Sequence, residues 1–185
     1  EQRLERELGR DYHILTSDER LDRIARDIVA HYATRWETGN AMLVCIDKIT
    51  CVRMSDLIEK YWAVEIEKQE KKRARLMEDL AKVYESVKDA DEDDRVRVIA
   101  LATERLEKEF EKLSWLQITE TCVVVSEEQN EVKTFKKWGL DIVPHRTKIK
   151  DRDLAEDYKN QHHAFRFAIV CAMWLTGFDV PQLST

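Results

Sequence analysis

Apolar positions along this chain change their spacing from segment to segment, and the changes outline its architecture. Leu21, Ile24, Ile28, Tyr32 and Trp36 recur at intervals of three and four, the period of one helical face. Thr16-Ser17-Asp18-Glu19 offers N-capping groups before this stripe, and Gly39-Asn40 follows it. The spacing therefore predicts a helix from about Ser17 to Trp36. Ala41 to Ile46 is then a continuous apolar run without alternation, the pattern of a strand buried on both faces of a parallel sheet. A helix is expected from about Val52 to Tyr61.

Residues 62–117 have a different texture. Between Glu65 and Arg75, eight of eleven residues are charged. Leu76, Leu80, Val83 and Val87 mark one apolar face, and Ile99, Leu106, Phe110 and Leu113 mark a second. The acidic stretch Asp89-Ala90-Asp91-Glu92-Asp93-Asp94 divides them. This pattern predicts a long antiparallel helical hairpin, either a solvated buttress or a partner-docking arm.

The strand pattern resumes after the hairpin. Cys122 to Val125 reads as a second buried strand, and Glu127 to Trp138 as a helix closed by Gly139. Asp151 to Asn160 reads as a short helix, and Phe167 to Ala172 as a third buried strand. Three such strands separated by helices imply an α/β fold with helices on both faces of a parallel sheet. Ligands of such sheets bind beyond the carboxyl ends of the strands. The segments expected to carry function are therefore Asp47 to Cys51, Ser126 to Asn130 and Met173 to Pro181.

Composition narrows the reading. Charged residues make up 37% of the 185, with only four Gly and two Pro, which favours long helices over turns. The formal net charge of −6 gives no overall field that attracts nucleic acid, so any phosphate contact must come from a local patch. Cys45, Cys122 and Cys171 lie in apolar runs and are expected as buried free thiols. There is no CxxC pair, no signal peptide and no apolar run of about 18 residues, so a soluble, cytoplasmic protein without a membrane partner is expected. His162-His163 near Asp157 suggests a metal site, but no third ligand stands at suitable spacing, and no metal site is expected. The scattered Trp residues read as core.

The segment Phe165 to Pro181, ending Leu175-Thr176-Gly177-Phe178-Asp179-Val180-Pro181, resembles motif V of superfamily 2 helicases in the form carried by the R subunits of type I restriction endonucleases. Ala41 to Val52 resembles motif IV of the same subunits, and Val123 to Val132 with Gly139 to Arg146 is also similar to R-subunit sequence. This resemblance implies the second RecA-like motor domain: an incomplete three-layer parallel sheet over residues 1–185, with the hairpin of 62–117 inserted. It implies nucleotide contact by Gly177 and Asp179, the latter toward the ribose. It implies contact with the DNA backbone by Lys48, Ser126, Gln129 and Thr176. Two positions depart from the family pattern. Asp47-Lys48 stands where Ser-Arg is common, and Ala172 where an acidic residue is common. Arg146 reads as a surface charge or a further phosphate contact.

No GxxxxGK[ST] loop or QxxGRxxR motif occurs in the chain, and no apolar strand run leads into an acidic DExx-type motif that could hold magnesium. The resemblance places ATP and Mg2+ in the full-length subunit and no catalytic residue in this piece, which alone is expected to be inactive. The absence of an initiator Met, and an end just after motif V, read as those of a fragment. Implied partners are double-stranded DNA, the first RecA-like domain of the same chain, and the methylation and specificity subunits. The parent would be an ATP-dependent type I deoxyribonuclease. Two alternatives stand beside it: a non-catalytic interaction module, or another superfamily 2 helicase or remodeller.

Overall fold

A computed structural model of the chain describes residues 11–174 and Leu183. The elements run α1 (Asp18–Thr34), β1 (Ala41–Val44), α2 (Lys48–Ser86), α3 (Glu92–Ile118), β2 (Glu120–Val124), α4 (Glu131–Lys137), α5 (Val143–Asp151), α6 (Leu154–Lys159) and β3 (Phe165–Val170). The chain divides into two compact units, one made of residues 1–61 and 119–185, the other of Trp62–Ile118.

The first unit is built on three parallel strands in the order β1-β3-β2. Ala41 to Val44 pairs with Phe167 to Val170 on one side of β3, and Thr121 to Val124 with Phe167 to Val170 on the other. β3 is therefore the middle strand, and five of its six residues are buried. Alternation sends Phe167 and Ile169 to one face of the sheet, Ala168 and Val170 to the other. Tyr32 of α1 packs on Phe167 at 5.5 Å between ring centroids. Leu154 and Tyr158 of α6 pack on the opposite face with Cys122, Val124, Ala168 and Val170. Helices thus cover both faces, as the apolar runs predict.

Two buried tyrosines tie these helices to the strands by their polar ends as well. The Tyr32 hydroxyl lies 2.9 Å from the Gly39 carbonyl and 3.1 Å from that of Arg166. The Tyr158 hydroxyl donates to the Ala41 carbonyl at 2.6 Å, and Asn40 Nδ2 donates to the Tyr158 carbonyl at 2.6 Å. Satisfying these groups matters because a buried polar group without a partner costs about 1–3 kcal/mol.

Several boundaries differ from the sequence expectation. β1 is not buried on both faces: Val44 is 50% exposed, and among the described residues β1 has β3 as its one strand neighbour, with an isolated bridge between Asn40 and Leu183 beside it. The helix expected from Glu127 begins at Glu131, and the one expected over Asp151 to Asn160 is α6, Leu154–Lys159; α5, not among the expected helices, precedes it, and a break at Arg152-Asp153 parts the two. Asp153 is the reason for that break. Its side chain accepts from the backbone N–H groups of Ala155 and Glu156 and so starts α6 afresh. The helix expected to end at Tyr61 continues to Ser86, its charged stretch offering no breaker.

The second unit consists of the later part of α2, from Trp62, and of α3. The two helices run antiparallel. Trp62 Nε1 donates to the Leu116 carbonyl at 2.9 Å, and Lys72 Nζ meets Glu109 at 2.6 Å. Gln69, 3% exposed, donates to Glu109 as well. The guanidinium of Arg73 lies over the ring of Phe110 at 4.9 Å. Trp62, Val87, Leu113 and Leu116 are buried, whereas Met77, Val96 and Leu101 are exposed. At the turn, the carboxylate of Asp91 accepts from the N–H groups of Asp93 and Asp94 and starts α3.

Candidate functional site

The carboxyl ends of β1, β2 and β3 converge, as a parallel sheet requires. At the first of them, Asp47 caps α2. Its Oδ1 accepts from the Thr50 N–H at 2.6 Å, its carbonyl from the Cys51 N–H at 3.1 Å, and its Oδ2 from the Tyr12 hydroxyl at 2.5 Å. The carboxylate thus satisfies helix-terminal donors and faces the positive end of the helix dipole. Its negative charge also raises the Tyr12 pKa, mainly through this hydrogen bond. The departure from the Ser-Arg pattern has a local structural reason: Asp47 holds the corner.

Lys48 lies in the first turn of α2, where a cation is disfavoured by the helix dipole. Glu128 offsets this: Lys48 Nζ meets Glu128 Oε1 at 2.6 Å. Lys48 is 16% exposed and Glu128 is 64% exposed. The pair bridges the β1–α2 corner and the loop after β2. It also lies within electrostatic reach of Cys171 at the end of β3.

The loop after β2 is held from beneath by a residue read from the sequence as a surface charge. Arg146 is only 8% exposed. Its Nε and Nη2 meet the two carboxylate oxygens of Glu131 at 2.6 Å and 2.7 Å. Its Nη1 donates to the Val125 carbonyl at 2.5 Å and its Nη2 to the Ser126 carbonyl at 2.7 Å. Glu131 Oε2 also accepts from the Glu128 N–H at 3.2 Å. The Arg146 guanidinium holds the Glu131 carboxyl below the usual carboxylate range. Buried here, Arg146 offers no free face to a phosphate.

This arrangement fixes the backbone of Val125 to Glu128 and leaves the Ser126 and Gln129 side chains exposed. Ser126 does not cap a helix. Four residues separate it from Glu131, and the cap position is Asn130, in the left-handed region at φ 60°. Gln129 occupies the turn before it. The seven-residue α4 ends at Lys137, one residue before the expected Trp138, and Gly139, φ 71°, closes it as expected. There the Gly139 N–H bonds the Lys136 carbonyl and the Leu140 N–H that of Phe135, the two bonds of a Schellman motif.

Beyond β3, Ala172 and Trp174 both lie in the left-handed region, at φ 58° and 63°. Trp174 folds back on the α6 face, 5.6 Å from the ring of Tyr158. Thr176, Gly177 and Asp179 lie outside the described residues.

The cysteines divide differently from the expectation. Cys45, Cys51 and Cys122 are buried, and Cys171 is partly exposed. The Cys51 thiol is pushed up by its hydrogen bond with Cys45 and by burial, and burial raises Cys171 as well. The raised Cys51 and Cys171 thiols carry less thiolate near neutral pH and so react slowly there.

His163 belongs to a structural network at the other end of β2. Its Nδ1 accepts from the Phe165 N–H at 3.0 Å, and its Nε2 lies 3.7 Å from Asp157. Arg152 joins Asp157 at 2.8 Å to Glu120 at 2.7 Å. Among the described residues, no three His, Cys, Asp or Glu side chains gather as a metal site. No helix among them is long and apolar enough to cross a membrane. Of the five Trp residues, Trp138 departs from the core reading at 53% exposure.

Comparison with known proteins finds a Methanocaldococcus jannaschii protein named as the MjaIXP endonuclease subunit of a type I restriction enzyme. It is 48% identical over 46 residues, which span 24% of this chain and 4% of that protein. A stretch of this chain is therefore similar to a type I restriction enzyme subunit. No protein-family profile matches the chain, and no solved structure matches it.

Proposed function

We propose that this chain is part of the ATP-dependent DNA translocase motor of a type I restriction endonuclease R subunit, forming one wall of the ATP cleft and part of the DNA backbone track. The observation that carries the reading is the convergence of three loops at the carboxyl ends of a parallel β1-β3-β2 sheet, the loops after β1 and β2 being joined by Lys48 and Glu128. The similarity to a restriction enzyme subunit supports the same reading.

In this proposal, Gly177 and Asp179 face the nucleotide, with Asp179 accepting from the ribose hydroxyls. Thr176, Lys48, Ser126 and Gln129 face phosphates of the duplex. ATP and Mg2+ are held chiefly by the partner motor domain, so this piece alone turns over no ATP. Closure of two such domains on ATP, and their parting after hydrolysis, would alternate the phosphate contacts and move the duplex.

The test is Asp179→Ala in the full-length subunit, assembled with its methylation and specificity subunits. ATP-driven displacement of a third strand from DNA is expected to fall at least tenfold while the thermal midpoint stays unchanged. Undiminished translocation removes Asp179 from the site.

A further inference from the structure

The hairpin carries a cationic groove that the loops of the sheet do not account for. It has a volume of about 570 Å³ and is lined by Lys68, Lys71, Lys72 and Arg75 of α2 and Arg105 of α3, with Glu67 as the one carboxylate in its wall. Val64 and Leu76 supply apolar surface along which the long side-chain stems can lie. The α2 cations repeat at about one helical turn, roughly 5.4 Å, over two turns. They form a row of fixed pitch rather than a cluster.

The carboxylates around the groove do not neutralise it. Lys68 meets Glu65 at 3.3 Å, Lys71 meets Glu67 at 2.5 Å and Lys72 meets Glu109 at 2.6 Å. In each pair the lysine is about half exposed or more, so water and salt screen the interaction. Arg75 and Arg105 are exposed and have no ion-pair partner among the described residues. The crowding reaches Lys112, whose ammonium is disfavoured first by burial and also by Lys72 and Lys68. Two free guanidinium forks beside a row of ammonium groups suit phosphate oxygens, which accept the parallel N–H pair of an arginine.

We propose that this groove binds the phosphodiester backbone of duplex DNA, a contact separate from the loops at the strand ends. The choice of DNA over an acidic polypeptide rests partly on the translocase reading above. The linear row and the free arginines carry the phosphate chemistry by themselves. A chain of net charge −6 would then hold DNA by a local stripe, its overall field notwithstanding.

The experiment is fluorescence anisotropy of a labelled duplex with the full chain across a salt series, for the native protein, Arg75→Glu/Arg105→Glu and Lys48→Glu. The double variant is expected to bind about tenfold more weakly at low salt. Its log–log salt slope should be shallower by about 1.8, two phosphate contacts at 0.9 each. A milder pair, Arg75→Gln/Arg105→Gln, should give the same slope change with a smaller loss, and circular dichroism should show both pairs folded. Native affinity and slope in both pairs would overturn the proposal. So would tighter binding of labelled poly-glutamate than of the duplex, lost in the double variant, which would assign the groove to an acidic protein. Loss in Lys48→Glu alone removes the groove and leaves the strand-end track standing. Loss in the arginine variants alone keeps the groove and removes Lys48 from the track.

Discussion

Glu131 and Arg146 meet through two parallel hydrogen bonds, 2.6 Å and 2.7 Å long, beneath the loop that joins β2 to α4. Both side chains are at most 10% exposed. Removing one partner leaves a buried charge unanswered, and the loop loses its anchor at Val125 and Ser126. Arg146→Met is expected to destabilise the chain by about 3–5 kcal/mol in urea unfolding. Glu131→Gln/Arg146→Met should cost less than the sum of the two single changes. Additive costs would mean that the two groups act independently.

The same pair sets an acid limit. The folded Glu131 carboxyl titrates below its ordinary range, so the unfolded chain takes up a proton at higher pH than the folded one. The pair's contribution is therefore fully present above about pH 4.3, the ordinary value, and is lost as pH falls through the folded value. Native protein should lose stability on acidification below this point more steeply than Glu131→Gln. Parallel pH profiles would contradict it.

Glu128 restrains Lys48 at 2.6 Å, and on the proposed track it competes with phosphate for the same ammonium. Glu128→Gln should change stability by less than about 1 kcal/mol, as the carboxylate is mostly exposed. DNA affinity should rise several-fold, with a salt slope steeper by about 0.9. An unchanged slope would show that Lys48 meets no phosphate.

Gly139 tests backbone conformation without a steric component. A Cβ at this position meets nothing within 4 Å, yet φ is 71°. Gly139→Ala should therefore cost only the left-handed strain, about 1–2 kcal/mol by the midpoint of urea unfolding with an unchanged slope. A larger cost would point to a clash that the open space does not contain.

Under native conditions a thiol reagent should modify Cys171 first, and slowly near neutral pH, because the other three thiols are buried and Cys171 is itself raised. Intact-mass and peptide mapping would resolve the order. Early labelling of Cys51 would show that the β1–α2 corner opens readily.

The layered α/β pattern was legible because apolar runs record burial directly. Phe167 to Ala172 reads as a buried strand from its apolar run; the strand runs two residues earlier, Phe165–Val170, and takes the middle place in the sheet. The edge position of β1 was not legible, since four apolar residues look alike beside one neighbour or two. Nor was the role of Arg146, because the carboxylate that buries it is 15 positions away on another helix and no spacing rule links them. Asp47 illustrates the opposite case: an acidic residue that looked out of place for phosphate contact is explained by Thr50, three positions on. Sequence patterns report local hydrogen bonding and burial well, and they report which distant charges meet poorly.

The middle place of β3 also dictates an order of assembly. β1 and β2 do not touch each other; each finds its neighbour in a strand that comes later in the chain than both. The hydrogen bond from Tyr158 to Ala41, which helps close this arrangement, spans 117 positions. The turn of the α2–α3 hairpin closes over a handful of residues, which favours early formation. During synthesis the apolar Ala41 to Val44 segment must therefore wait without its partner until β3 has emerged, making it the part of the nascent chain most in need of protection from other unfolded chains.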